Sequence, residues 1–173
     1  TRVKERDRRA SSTTNQHFFG QLAQKIVKAV NRMGPYGRLY ELDARLRPTG
    51  KSGALAINIR EFDRYFSSGQ GQLWERQALC KARPIYGPQL VADGVMEAVY
   101  RAITVAPWSP EDAESIRSMR MRLEETASKL NLKRGPGGTV DIEFAVQMLQ
   151  LQYAAQHREV LQPGTIDAIE ALR

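Results

Sequence analysis

Residues Tyr40–Gly53 read YELDARLRPTGKSG, and the fold turns on how this run is taken. Its side chains alternate. Tyr40, Leu42, Ala44 and Leu46 fall on one side and Glu41, Asp43, Arg45 and Arg47 on the other, the period-two pattern of a half-buried strand. Pro48 cannot donate to a ladder and ends it. Beyond a Thr49–Gly53 turn, Ala54–Ile59 is apolar and carries β-branched Ile57 and Ile59, so an antiparallel hairpin is expected. On the polar side one carboxylate, Asp43, is followed closely by Arg45, Arg47 and Lys51, a grouping that suits a metal ion and polyphosphate. The plainer alternative is a solvated sheet face with weak surface ion pairs. Gly50-Lys51-Ser52 echoes a P-loop but fails its spacing. The position five before Gly50 is Arg45, and the segment leads into a strand rather than a helix.

The chain around this run is of ordinary globular composition. With 42% hydrophobic and 26% charged residues in 173, it can bury a core. No apolar run is long enough to span a bilayer, and no leader pattern opens the sequence. Cys80 is the only cysteine, so no internal disulfide can form, which fits a reducing cytoplasm; it reads as a small core residue. Only His17 and His157 are present, which excludes a His/Cys zinc cluster. The net charge of +7 is spread over short clusters at Arg2–Arg9, Arg38–Lys51, Lys81–Arg83, Arg117–Arg122 and Lys133–Arg134. Scattered clusters favour a pocket for a compact anion over a stripe along a nucleic-acid duplex.

Thr1–Thr14 is polar and starts abruptly without a methionine, as a solvent-facing loop or a cut end would. A first helix is expected near Asn15–Asn31, where Phe18, Leu22, Ile26 and Val30 recur every fourth residue and read as a core face. Thr13 with Gln16 has capping-box spacing. Further helices are expected at Arg60–Phe66, about Gln72–Ala82, Leu90–Val105, Ser109 to about Leu130, Val140–Gln156 and Thr165–Leu172. Ser109-Pro110-Glu111-Asp112 is the strongest start signal: an N-cap Ser, Pro at the first position and two acids at the positive end of the dipole. In that helix Arg117, Arg120 and Arg122 share no narrow stripe and read in part as surface charge. Lys133-Arg134-Gly135-Pro136-Gly137-Gly138 is a basic glycine-rich loop feeding the next helix. It is either an anion site at a helix start or a tight connection needing positive φ at Gly137 or Gly138. The expected class is mainly α with a small antiparallel β remnant (α+β).

Three runs in this order, YELDARLRPTGKSG at Tyr40–Gly53, WERQALCKARPIYG at Trp74–Gly87 and KRGPGGTVDIEF at Lys133–Phe144, resemble the glutamine synthetase adenylyltransferase/adenylyl-removing enzymes. The likeness extends from Phe18 to about Tyr153. It implies a truncated nucleotidyltransferase-fold domain over residues 1–67, followed by a helical-bundle domain over residues 68–173. It further implies transfer of AMP from ATP to a tyrosine of glutamine synthetase, or its removal by phosphorolysis, with Mg²⁺ as cofactor and a PII signal protein as regulator. Pro136-Gly137-Gly138 before Asp141-Ile142-Glu143-Phe144 is closer to the adenylylating half.

By the same resemblance, Asp43 matches the third carboxylate of the fold, a ligand to Mg²⁺ or an activator of the attacking hydroxyl. Arg45, Arg47, Lys51 and Ser52 would face nucleotide phosphate. Glu75, Lys81, Arg83 and Lys133 would be brought to the cleft by the helical domain. The fold's paired aspartates are missing upstream, where Thr1–Asn15 holds Asp7 alone. The segment by itself is therefore expected to be inactive. Two other readings stand: a helical interaction module that docks glutamine synthetase or PII, and a nucleic-acid binder, which has only the charge behind it and is not expected. No membrane association is expected either.

Overall fold

A computed structural model of the chain describes residues 14–38, 40–128 and 130–173. Residues 1–13, which hold most of the expected polar loop and its Thr13 cap, lie outside the described residues, as does Leu39. The described chain is helical: α1 (Asn15–Val30), α2 (Ile59–Ser67), α3 (Leu73–Leu79), α4 (Gln89–Ile103), α5 (Pro110–Glu125), α6 (Thr139–Tyr153) and α7 (Thr165–Ala171). Short 3₁₀ turns lie at Gly50–Ser52 and Arg158–Val160. Internal contacts divide it into two compact units, Thr1–Glu61 and Phe62–Arg173. Among the described residues no helix is long and apolar enough to cross a membrane.

In the first unit α1 starts where Thr14 accepts a hydrogen bond from the His17 amide at 3.3 Å. Its apolar face is not a core in this unit. Phe18, Phe19, Leu22 and Ile26 are 43–56% exposed, and no residue of α1 is buried.

The expected hairpin is also absent: among the described residues the only bridge joins Gly34 to Gly37. Local side-chain bonds compete with the ladder and win. Asp43 Oδ1 accepts from the Arg45 amide at 3.0 Å, the Arg47 amide donates back to the Arg45 carbonyl at 3.0 Å, and the run bends. Leu42 is held instead by a side chain, with Asn31 Oδ1 2.7 Å from its amide and Asn31 Nδ2 3.5 Å from its carbonyl oxygen. The second expected strand gives way to a helix start, where Asn58 Oδ1 accepts from the Glu61 amide at 2.9 Å. Asn58-Ile59-Arg60-Glu61 is a capping-box sequence hidden behind an apolar run.

The second unit holds the core. Cys80, Val99, Ile103, Ile116, Leu151, Ala154 and Val160 form its centre, with Phe62, Leu73, Trp108 and Phe144 against it. Burial pushes the Cys80 thiol up to about 12, so it stays protonated and inert at neutral pH. The short helix α3 packs against α4, α5 and α6 and buries three consecutive polar residues, Glu75, Arg76 and Gln77. Each has a separate task. Glu75 accepts from Tyr65 Oη at 2.9 Å and from the Gln72 amide at 2.8 Å, closing the helix's own capping box. Arg76 donates to the carbonyls of Ile103 (2.9 Å) and Ala106 (3.1 Å), which close the end of α4. Gln77 Nε2 reaches Gln147 Oε1 on α6 at 2.9 Å.

The start of α5 is as expected, with Ser109 and Asp112 bonding each other's amides. Its end is not. The helix stops at Glu125 rather than near Leu130, which is 91% exposed.

Candidate functional site

In the first unit the residues Asp43–Gly53 make a compact basic turn. Asp43 and Arg45 meet as their spacing implied: the guanidinium grips the carboxylate in a fork, Nε at 2.8 Å from Oδ1 and Nη2 at 2.5 Å from Oδ2. The Arg45 side-chain hydrogen bonds, aided by its amide, hold the Asp43 carboxyl down at about 2. Asp43 is therefore an anion throughout the neutral range and a poor proton acceptor there. Arg47 turns the other way. Its guanidinium donates to the carbonyls of Ala44, Gly53 (3.1 Å) and Lys51 (3.2 Å), stapling the turn from inside. Ser52 Oγ donates to the Thr49 carbonyl at 2.8 Å. Thr49 itself sits at φ 61°, uncommon for a β-branched residue. Lys51 is exposed on the turn.

Magnesium prefers octahedral oxygen ligation, with carboxylates supplied by the protein. Among the described residues no three His, Cys, Asp or Glu side chains gather as a metal site. Asp43 offers one carboxylate, already engaged by Arg45, so the residues present do not fit the ion by themselves.

In the second unit the remaining expected residues have different fates. Glu75 is buried and engaged with Tyr65 and Gln72. Lys81 is at the surface, 3.1 Å from Glu143 of α6 and 3.3 Å from Thr165 Oγ1 of α7. Arg83 and Lys133 are exposed. The Lys133–Gly138 loop is a tight connection, and Gly137 has the positive φ (73°) that its sequence allowed. The amides entering α6 are spoken for: Thr139 donates to Leu132, Val140 to Lys133 and Asp141 to Gly138. The open anion site at a helix start is therefore closed by the loop's own carbonyls.

Arg120 was not legible as anything but charge. Its side chain is 9% exposed and lies across this loop, donating to Asp141 and to the carbonyls of Arg134 and Gly135. Arg120 in turn holds the Asp141 carboxyl below its usual range. The available signal was position: Arg120 lies four residues after buried Ile116, on the same helix face. Asn31 likewise carried no motif, and Arg76 lay within the WERQALCKARPIYG run without being singled out.

Fold and site together define a helical chain with a stapled basic turn and a clamped basic loop. The family model for glutamate-ammonia ligase adenylyltransferase matches residues 2–97, and the chain belongs to that family. A second model, GlnD PII-uridylyltransferase, matches residues 112–173. Among curated relatives, a bifunctional glutamine synthetase adenylyltransferase/adenylyl-removing enzyme of Thioalkalivibrio sulfidiphilus is 38% identical over 164 residues, covering 91% of this chain and 17% of the relative. Proteins of the same description from Idiomarina loihiensis and Nitrosomonas eutropha are 37% and 31% identical, over 84% and 95% of this chain and 16% and 18% of theirs. The chain thus spans about a sixth of the length of the relatives it matches.

Proposed function

We propose that this chain is part of an enzyme that transfers AMP from ATP to a tyrosine of glutamine synthetase, or removes it by phosphorolysis. The reading rests on one observation above the others: the family match over residues 2–97 includes the forked Asp43–Arg45 pair and the basic turn behind it. In this reading residues 1–67 end a nucleotidyltransferase domain and residues 68–173 form its helical companion. Asp43, fixed as an anion, supplies charge rather than a proton acceptor. Arg45 and the exposed Lys51 neutralise polyphosphate, while Arg47 and Ser52 hold the turn that presents them. Lys81, Arg83 and Lys133 are the helical domain's own candidates for meeting phosphate charge, and Glu75 holds α3 in shape. Mg²⁺ and ATP belong to the whole enzyme, with further carboxylates from outside the described residues. A cytoplasmic setting and regulation by PII go with the same reading, and the loop ahead of Asp141-Ile142-Glu143-Phe144 favours the adenylylating half.

The likeness of residues 112–173 to the PII-uridylyltransferase model favours a second reading, a helical module that docks PII or glutamine synthetase. Capture of either protein by the 173-residue chain would favour it.

The test compares the chain with the whole enzyme. Calorimetry with Mg·ATP and a radiolabelled AMP-transfer assay are expected to give no tight binding and no transfer for the 173 residues alone. In the whole enzyme, Asp43→Asn should lower transfer by about 100-fold or more. Micromolar Mg·ATP binding or turnover by the chain alone would refute the missing-carboxylate reading. An unimpaired Asp43→Asn enzyme would remove Asp43 from the site.

A further inference from the structure

Arg120 does more than fill space between α5 and α6. Nη2 donates to the carbonyl oxygens of Arg134 (2.9 Å) and Gly135 (3.1 Å), and Nε donates to Asp141 Oδ1. Asp141 Oδ2 accepts from the Gly137 amide at 2.7 Å, so one arginine and one carboxylate grip the loop from both sides. Nη1 lies 3.3 Å from Glu124 Oε2, an ion pair by distance but without hydrogen-bond geometry. At the loop's entrance Asn31's counterpart in role is Asn131, whose Oδ1 accepts from the amides of Lys133 (3.0 Å) and Arg134 (2.9 Å). Inside, there is no slack. A Cβ on Gly138 would stand 2.7–2.8 Å from the carbonyl oxygens of Leu132, Lys133 and Gly135. The outcome is a rigid turn whose two exposed cations, Lys133 and Arg134, are carried on a fixed backbone.

We propose that Arg120 is a positioning residue: through Asp141 and the carbonyls of Arg134 and Gly135 it fixes the loop that presents Lys133 and Arg134 to the nucleotide phosphates. The nucleotide half of this inference rests on the function proposed above; the clamp does not. A buried guanidinium with fixed acceptors suits that work because its fork is planar and already oriented, which an ammonium cannot reproduce. Holding a cation where phosphate charge must be met removes an ordering cost that binding would otherwise bear.

Two measurements separate the halves. In the 173-residue chain, Arg120→Lys should speed hydrogen exchange of the Gly137, Gly138 and Thr139 amides at least about tenfold, while α4 amides near Ile103 keep their rates. Asp141→Asn, which preserves shape, repeats the test should Arg120→Lys fail to fold. In the whole enzyme, Lys133→Ala should raise KM for ATP about tenfold, Arg120→Lys should do the same with little change in kcat, and the double variant should be no worse than either single one. Unchanged loop exchange in both clamp variants overturns the inference. Faster exchange with an unchanged KM in Lys133→Ala keeps Arg120 as the clamp and rejects the loop's role at the nucleotide.

Discussion

At the scale of single residues, the basic turn separates two arginines that the sequence made look alike. Arg45 and Arg47 stand two apart on the same side of an alternating run, yet one faces a carboxylate and the other three carbonyls. The first pairing was legible because Asp43 and Arg45 are near enough to meet in almost any backbone conformation. The second was not, because its acceptors exist only once the Pro48–Gly53 turn has closed, with Thr49 in the left-handed region. The Asp43 pair makes a direct prediction. Its carboxyl should titrate near 2 by carbon-detected NMR, and Arg45→Met should raise it toward the ordinary carboxylate value, with the residue-45 amide and Lys51 still holding it below. Because the folded value lies below the unfolded one, the contact contributes to stability above the unfolded value and is lost as the pH falls through about 2. A wild-type midpoint at the ordinary carboxylate value would show that the fork does not persist in solution.

Among the helices, each of the seven described ones falls where the sequence led us to expect one, while the burial that tertiary contacts impose on their polar residues was not legible. Ser109-Pro110-Glu111-Asp112 specifies the start of α5 locally, and the structure uses each part of it. The expected strand over Ala54–Ile59 failed for the opposite reason: β-branched residues fit a pleat only if a neighbouring strand supplies one, and an isolated hairpin is marginal. The cap at Asn58 needs no such partner. Helix α3 lies within the expected Gln72–Ala82, but periodicity could not reach the burial of Glu75-Arg76-Gln77, whose bonds point inward to different elements. Burial holds the Arg76 pKa below its usual value, and its compensation comes from the chain end of α4. Arg76→Met should therefore destabilise the second unit in urea by about 1–3 kcal/mol for each carbonyl left without a donor. Arg76→Lys should recover little of this, because one ammonium cannot copy the two-pronged reach to Ile103 and Ala106. Equal midpoints for wild type and Arg76→Met would mean that water replaces the guanidinium at no cost.

Over the whole molecule the two units differ in kind. The helical class and the order of most helices were legible, since apolar periodicity over 15 or so residues is a robust signal. What periodicity cannot say is whether a face finds a partner within the same unit. In α1 it does not: among the described residues from Thr14 to Glu61 none is buried, whereas the second unit encloses a continuous core from Cys80 to Val160. A solitary helix of this length is marginal in water, because nucleation is unfavourable and propensity alone adds little. The chain should accordingly lack a single cooperative transition. Hydrogen exchange is expected to find the amides of α1 only weakly protected, while those of α4 and α6 exchange near the rate set by global unfolding of the second unit. On heating, part of the helical signal should be lost before the main transition, and Leu22→Ala should leave that main transition in place, costing less than about 0.5 kcal/mol against the 2–5 kcal/mol of a core leucine. Protection of α1 equal to that of α6, or a core-sized loss from Leu22→Ala, would mean that the apolar face of α1 is covered in solution.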